Sequence, residues 1–317
     1  MAPLRVGLAA NPTADAGLAV TAAQRALKAL EAAGCVVTHL SGVSWSETLD
    51  AAMRARDDLD ALVVVGGDGM VHLGAQVCAQ QSLPLGIVAA GSGNDFASIA
   101  GLPVREPERS VHTILRGLGR PRTIDLGRVD LSDGSVRWFA GVLSAGIDAA
   151  IAERGRRMQF PRGESKYKVA VARELPGHKP YGVRVHARVT SGGDAQYDGA
   201  WTLIAVSNSG LLGGGIPMSP HSDISDGALE LVRAEPISRA GVVRIFPRLM
   251  RGTHIADPRV HITQVDRVSL AHSDAGAMAP TASADGEPLG SLPLTVTCVP
   301  GALRLAGAVP AAGAVRH

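Results

Sequence analysis

The sequence has few cysteines and no long apolar run, and each shortage excludes a class of protein. Its three cysteines, Cys35, Cys78 and Cys298, lie far apart without a CxxC pair. This excludes a zinc site evident from sequence, argues against a disulfide framework and favours a reducing compartment. No stretch approaches the ~18 apolar residues of a membrane span, and the N-terminal apolar run is too short for a signal peptide. We therefore expect a cytoplasmic protein that is not integral to a membrane.

Aromatic residues and net charge are also scarce. Aromatic side chains make up 3% of the 317 residues, and the formal net charge is +2. Without a basic field or stacking residues, nucleic acid is disfavoured as a partner. The 46% of hydrophobic residues in a chain of this length instead predicts two ordinary domains with real cores.

The first 125 residues alternate short apolar runs with helical patterns. Strands are predicted at Leu4–Ala9, Cys35–Leu40, Ala61–Val65 and Leu85–Ala89, and helices at Ala19–Ala33, Ser46–Arg56, Met70–Gln80 and Arg109–Leu118. Strands spaced by crossover helices indicate an α/β domain with a mostly parallel sheet. Ligands of such sheets bind beyond the carboxyl ends of the strands.

After about Ile124 the pattern becomes β-rich. Strands are predicted at Arg122–Val129, Val136–Val142, Gly182–Thr190, Ala200–Val206, Ala228–Arg233, Arg259–Leu270 and Ala302–Leu305, with one helix at Tyr167–Leu175. We interpret this as a C-terminal β-rich sandwich domain. The expected domains are 1–124, with 302–317 as a candidate completion, and 125–301, with the active site in the cleft between them. Unpaired strands of the second domain leave a homodimer open.

Five Asp-Gly pairs punctuate the chain. Those at Asp133 and Asp198 lie between alternating runs and predict tight turns. Asp68, in GGDGM, instead follows a wholly apolar strand and precedes a helix, where glycine amides can converge on an anion. A carboxylate would repel phosphate unless a cation lay between them, so the motif points to Mg²⁺-nucleotide, with a plain turn as the alternative.

A second glycine loop, GSGND at Gly91–Asp95, follows the next strand. Ser92 and Asn94 are natural helix N-caps and natural ligands for a phosphate or ribose, and a simple helix cap is the alternative. A third polar loop, Asn11-Pro12-Thr13, falls at the same edge of the predicted sheet. Three such loops at successive strand ends predict a binding site there.

In order along the chain, several motifs resemble the diacylglycerol kinase-like lipid kinases. They are AANPTADAG, GGDGM at Gly66–Met70, GSGNDFA at Gly91–Ala97, DLGRV, LSAGIDAAI, SNSGLLGGGIPMSPHSDISDGALELV at Ser207–Val232, and ADGE at Ala284–Glu287. The resemblance spans nearly the whole chain. It implies an α/β nucleotide domain followed by a β-rich lipid domain, and an ATP- and Mg²⁺-dependent kinase of a lipid hydroxyl, with diacylglycerol as the best single substrate.

The resemblance also implies roles for individual residues. Asp285 would be the general base that deprotonates the lipid hydroxyl, with Glu287 a second candidate acid. A surface hairpin is the alternative for ADGE. A hydrated Mg²⁺ would be held by Asp226 with the carbonyls of Asp223 and Ala228, where an ordinary turn is the alternative. The ATP-binding residues would be Asn11, Pro12, Thr13, Ser41, Gly66, Gly67, Asp68, Gly69, Met70, Gly91, Ser92 and Asn94.

Three departures from the family pattern leave other functions open. Met70 replaces a threonine, Asp15 adds negative charge to the first loop, and WFAGV lacks an asparagine often found before LSAGID. A catalytically silent nucleotide- or lipid-binding regulator is one alternative. An NAD kinase-like enzyme is the other, because those enzymes also use GGDG.

Two basic segments carry apolar residues among their cations. One contains Arg154, Arg156, Arg157, Arg162, Lys166 and Lys168 with Met158 and Phe160. The other contains Arg244, Arg248 and Arg251 with Ile245, Phe246, Leu249 and Met250. Such segments suit peripheral binding to an anionic membrane, where the lipid substrate would be met. Solvated helix faces are the alternative.

Overall fold

A computed structural model describes residues 2–10, 18–158, 164–174 and 177–307. The chain divides into two compact units. Unit 1 comprises Met1–Leu126 with Gly301–His317, and unit 2 comprises Gly127–Pro300. The mixed α/β fold class, with a parallel sheet followed by a β-rich region, is confirmed.

Unit 1 is built on a parallel sheet. Its elements are β1 (Arg5–Ala10), α1 (Leu18–Ala32), β2 (Val36–His39), α2 (Trp45–Ala55), β3 (Ala61–Gly66), α3 (Asp68–Cys78), β4 (Leu85–Ala89), α4 (Asp95–Ile99) and α5 (Pro107–Gly117). The strand order is β2-β1-β3-β4, all parallel. Because β2 and β3 lie on opposite sides of β1, the strand order reverses beside β1, and ligands of open α/β sheets bind at such a point.

Apolar strands and two pairs of helices make the core of unit 1. All six residues of β3 are buried, as the continuous apolar run predicts for a central parallel strand. Helices α1 and α5 pack together over Val63, Val65 and Val88, while α2 packs on α3. Since strand side chains alternate between faces, this arrangement covers the sheet and leaves the loops at the strand ends to carry function.

Unit 2 is built from antiparallel strands. Its elements are β5 (Arg122–Leu131), which enters from unit 1, β6 (Val136–Phe139), β7 (Val142–Ser144), α6 (Ile147–Arg157), α7 (Glu164–Glu174), β8 (Tyr181–Val189), β9 (Asp194–Trp201), β10 (Leu203–Ser207), β11 (Leu211–Leu212), β12 (Ile216–Pro217), β13 (Leu229–Ala234), α8 (Arg239–Leu249), β14 (Val260–His272), β15 (Ala282–Ala284), β16 (Glu287–Gly290) and β17 (Leu294–Leu305), which returns to unit 1. Neighbours run β16-β15-β7-β10-β13-β14, with β8 and β9 following from β14. Leu143, Ile204, Leu231 and Val268 lie in its buried core.

The prediction of a single helix in this region is wrong. The predicted helix corresponds to α7, but α6 and α8 are helical as well. Helix α6 carries three arginines in its last turn, and α8 contains Pro247. Gly155 in α6, and Gly241 and Pro247 in α8, are residues that disfavour a helix interior, so the sequence of these segments resembles the turns between the surrounding strands.

A buried carboxylate fixes the segment after α8. Asp257 accepts two side-chain hydrogen bonds from Arg259, both 2.9 Å long, and pairs with Arg248 of α8 at 3.4 Å. These arginines, Arg259 foremost, hold the pKa of the Asp257 carboxyl down at about 2. The ion pairs tie the C-terminal part of α8 to the start of β14.

Candidate active site

The carboxyl ends of the unit 1 strands carry the predicted nucleotide loops. Ser41, just beyond β2, accepts a 2.9 Å hydrogen bond through its hydroxyl oxygen from the amide of Ala10, the last residue of β1. The loop after β3 begins at Gly66, and the amide of Ala90 after β4 donates to the Gly66 carbonyl at 2.9 Å. Ser41, Gly66 and Gly91 therefore lie at the carboxyl ends of β2, β3 and β4, three parallel strands of one sheet. Asn11, Pro12, Thr13 and Asp15 lie outside the described residues.

The two glycine loops touch through their backbones. A Cβ built on Gly91 would lie 2.4 Å from the Gly67 Cα, closer than any side chain tolerates. Met70, the residue that departs from the family pattern, is 3% exposed and packs toward Gly66, whose φ is +153°. A Cβ built on Gly66 would lie 2.6 Å from the Met70 Cγ, so glycine is required at both Gly66 and Gly91 by close approach.

Asp68 connects the first loop to the helix after the second. Its carboxylate accepts hydrogen bonds from the amides of Asp95 at 3.3 Å and Phe96 at 3.0 Å, the first two residues of α4. These amides have no acceptor within their own helix, and an acid at that position also complements the helix dipole. Asp68 thus has a structural role, and its predicted part in holding Mg²⁺-nucleotide remains a prediction.

The alternative of a simple helix cap holds for Asn94 by position only, because its side chain makes no capping hydrogen bond to α4. Asn94 is the N-cap residue, but its amide side chain exchanges hydrogen bonds with the Gly91 backbone, at 2.8 and 2.7 Å. Its backbone has φ +60°, a left-handed conformation that asparagine tolerates better than most residues. Asn94 therefore closes the loop on itself, while Ser92 is exposed at the tip.

Sequence reasoning missed two side chains beside these loops. The Trp45 indole N–H donates to the Gly69 carbonyl at 3.3 Å, and its ring lies 6.0 Å from that of His72. The Arg105 guanidinium donates to the Ser92 carbonyl at 3.4 Å. Neither lies in a glycine motif. The only local signal for Arg105 is a charged residue soon after an apolar Leu-Pro-Val segment.

In unit 2, Asp285 occupies a two-residue hairpin turn between β15 and β16. Asp285 and Gly286 both have positive φ, +52° and +84°, as a type I′ Asp-Gly turn requires. The Asp285 carboxylate accepts hydrogen bonds from the amides of Ala140, Gly141 and Val142, at 3.1, 2.8 and 3.2 Å. A Cβ on Gly141 would lie 2.6 Å from the Asp285 carboxylate, so the glycine of WFAGV makes room for it.

A second acid, Glu287, and a basic residue, Arg156, flank this turn. Glu287 begins β16, pairs across the turn with Ala284 and is half-buried. Arg156 of α6 donates to the Gly286 carbonyl at 2.8 Å. The structure thus brings both predicted acids into one turn that β7 and α6 hold from separate directions.

The carboxylates of the predicted metal turn accept hydrogen bonds from the turn itself and from β14. Asp223 accepts from the amide and hydroxyl of Ser225, and Asp226 accepts from the amide of Ala228 at 3.0 Å and from Gln264 at 3.2 Å. Among the described residues, no group of three or more His, Cys, Asp or Glu side chains is placed to hold a metal. An all-oxygen set of one carboxylate and backbone carbonyls still fits a Mg²⁺ that keeps most of its waters.

Two residues beyond this turn, burial raises the pKa of the Glu230 carboxyl to about 7. The Ser222 hydroxyl donates a hydrogen bond to this carboxyl and opposes the shift.

No described helix is long and apolar enough to cross a membrane.

The basic segments lie mostly at the surface of unit 2. Arg154 pairs with Glu174 of α7, and Arg157 pairs with Glu153. Val243 of α8 is 61% exposed, and Met250, the C-cap residue of that helix, is 42% exposed. Phe160 and Arg162 lie outside the described residues, and the side chains of Lys166 and Lys168 are not described.

Comparison with known proteins finds family matches for both parts of the chain. A diacylglycerol kinase catalytic domain model matches residues 5–129, and a YegS C-terminal NAD kinase beta sandwich-like domain model matches residues 141–307. A diacylglycerol kinase of Mycobacterium tuberculosis (strain ATCC 25618 / H37Rv) is 33% identical over 297 residues, covering 93% of this chain and 92% of the relative. A "Probable lipid kinase YegS-like" of Stenotrophomonas maltophilia (strain K279a) is 28% identical over 255 residues and covers 78% of each.

The fold has relatives among solved structures. The crystal structure of a diacylglycerol kinase from Bacillus anthracis str. Sterne matches with a TM-score of 0.67 at 17% identity, covering 98% of both chains. The chain belongs to the diacylglycerol kinase-like family of lipid kinases. It is therefore a phosphotransferase that uses ATP and acts on a lipid.

Proposed function

We propose that this lipid kinase transfers the γ-phosphoryl group of Mg²⁺-ATP to the hydroxyl of diacylglycerol, giving phosphatidic acid and ADP. The observation that carries the proposal is the Asp285 carboxylate, fixed by three backbone amides at a left-handed turn position. Groups held in sparsely populated backbone conformations cluster at functional sites. The curated relatives named diacylglycerol kinase support the choice of lipid.

In the proposed reaction, Asp285 takes the proton of the lipid hydroxyl as its oxygen attacks the γ-phosphorus. The new bond joins the lipid oxygen to phosphorus, and the bond to the bridging β–γ oxygen breaks with ADP as the leaving group. Phosphoryl transfer needs little covalent help from the protein, so positioning and charge neutralisation do most of the work. A carboxylate whose rotamer is locked by amides meets the positioning requirement.

The nucleotide side of the proposal rests on the glycine loops of unit 1. Their backbone amides and Ser41, Ser92 and Thr13 would bind ATP, and Mg²⁺ would neutralise its phosphates. A second, hydrated Mg²⁺ at the Asp223–Ala228 turn would brace β13 without taking part in transfer. Asp226 would be its carboxylate ligand.

The lipid side is supported by an open cavity of about 370 Å³ in unit 2. It is lined by apolar Met158, Met278 and Pro280 and by two ion pairs, Arg154 with Glu174 and Arg157 with Glu153. A cavity that combines apolar side chains with a few polar groups suits an acyl chain beside a polar head. We further propose that α8 brings the enzyme to anionic membranes through its exposed apolar residues and arginines.

The test supplies labelled ATP and Mg²⁺ with diacylglycerol, ceramide, sphingosine and NAD⁺ in separate assays. We expect transfer to diacylglycerol and a loss of kcat of at least about a hundredfold in Asp285→Asn, since general bases contribute ~10²–10⁴. Asp133→Asn, in the Asp-Gly turn between β5 and β6, is the matched control and should leave kcat unchanged. Transfer to NAD⁺ alone would identify an NAD kinase, and nucleotide binding without any transfer would identify a silent regulator.

A further inference from the structure

Arg105 is a cation held beside the glycine loops by an unusual backbone. Val104 forms a parallel bridge with Ala89 at the end of β4, and the Arg105 amide donates to the Ala89 carbonyl at 2.8 Å. Arg105 itself has φ +60°. A non-glycine residue adopts this conformation only when its surroundings impose it, and such residues concentrate at functional sites.

The side chain of Arg105 hydrogen-bonds to the backbone of the second glycine loop rather than to a carboxylate. Its guanidinium is exposed, and in the described part of the chain its one hydrogen bond goes to the Ser92 carbonyl. A 3.4 Å bond to a neutral carbonyl is long and engages only one of five N–H donors. The neighbouring Glu106 turns away and pairs with Arg109 at 3.0 Å.

The local charge balance favours such a cation. The two loops contain Asp68 and Asp95 and neither lysine nor arginine, so apart from Mg²⁺ the loops would offer only backbone amides to a polyanionic nucleotide beside two acids. The Asp68 carboxylate is partly neutralised by the amides of α4. A planar guanidinium at the rim of the loops supplies the charge and the paired donors that phosphate oxygens accept.

We propose that Arg105 binds the phosphates of the nucleotide on the glycine loops and takes the place of the lysine that such loops commonly contain. This inference rests on the proposed function for the identity of the nucleotide and adds to it a specificity-determining residue. The long bond to Ser92 holds the side chain beside the loop until phosphate replaces it.

The experiment is calorimetric titration of the full chain, without lipid, with Mg²⁺-ATP, ADP, AMP and adenosine. We expect Arg105→Gln to weaken ATP binding about tenfold and ADP binding less, because the loss scales with ligand charge. Adenosine binding should not change. Arg105→Lys keeps the positive charge but lacks the planar guanidinium with its paired N–H donors. Its affinity for ATP should lie between those of the wild type and Arg105→Gln. Arg109→Gln, one helical turn into α5, is the matched control and should bind as the wild type does.

Three results would overturn the assignment. The first is equal ATP affinity in Arg105→Gln and the wild type. The second is an equal loss for adenosine and ATP, which would mean that the side chain stacks on the base or merely shapes the loop. The third is a wild type that binds none of the four ligands. Failure of every lipid to accept phosphate would instead count against the proposed reaction, and leaves the calorimetric result intact.

Discussion

Asp148 is a buried residue whose ionisation opposes folding. It lies in the first turn of α6, is 5% exposed, and neither carboxylate oxygen reaches a hydrogen-bond partner at normal distance among the described residues. Burial raises the pKa of its carboxyl to about 6, although the Ser144 hydroxyl and the first amides of α6 lie near enough to oppose the shift. The folded chain therefore binds this proton more tightly than the unfolded chain does.

This raised pKa fixes the sign of a pH dependence. As pH rises from about 4 to 6, the unfolded carboxyl ionises first, so the contribution of Asp148 to stability falls and stays low above pH 6. A shift of roughly two units corresponds to on the order of 3 kcal/mol. We expect Asp148→Asn to raise the urea midpoint at pH 7.5 and to change it little at pH 4.5. Asp274→Asn, an exposed carboxylate of unit 2, should show no such difference, and an equal effect at both pH values would contradict the assignment.

At the scale of elements, the two glycine loops behave as one structure. Gly91→Ala would press its methyl group onto the Gly67 backbone, and Gly67 is fixed in place as the N-cap residue of α3. We expect the KM for ATP to rise at least about tenfold, since small displacements of binding groups are costly. Gly119→Ala is the matched control, because its Cβ would meet nothing within 4 Å. An unchanged KM in Gly91→Ala would show that the nucleotide does not depend on this contact.

The elements also show what the sequence could predict. The strands of unit 1 are continuous apolar runs, so β3 and β4 lie within one residue of their predicted bounds. Helices α6 and α8 were not predicted, because only a minority of their residues is buried and because they contain glycine or proline. In the site, the Asp-Gly pair at Asp285 indicates the turn from sequence alone. Its three amide donors, however, lie about 145 residues away in the chain, and only the pairing of β7 with β15 brings them close.

The nucleotide loops illustrate the same limit. The motif GGDGM predicts a part for Asp68 in holding Mg²⁺-nucleotide, which stays a prediction, whereas its hydrogen bonds to the amides of α4 are not revealed by sequence spacing. The departure from the family pattern at Met70 is also interpreted differently, because the Met70 side chain is buried beneath Gly66. Local patterns identify which loops matter, whereas the direction of each side chain depends on how neighbouring strands align.

At the scale of the whole molecule, α8 carries the prediction about membranes. Arg244 and Arg251 are exposed and form no ion pair with any described residue, and Val243 and Met250 present apolar surface beside them. In sedimentation with vesicles, we expect binding to phosphatidylserine–phosphatidylcholine mixtures and little to phosphatidylcholine alone. The double variant Arg244→Gln, Arg251→Gln should lose at least about tenfold in partitioning, given ~1 kcal/mol per basic residue. Arg184→Gln with Arg188→Gln removes the same charge from β8, where both arginines pair with aspartates, and should retain more binding. Equal losses in the two double variants would mean that net charge, and not α8, attracts the protein to the bilayer.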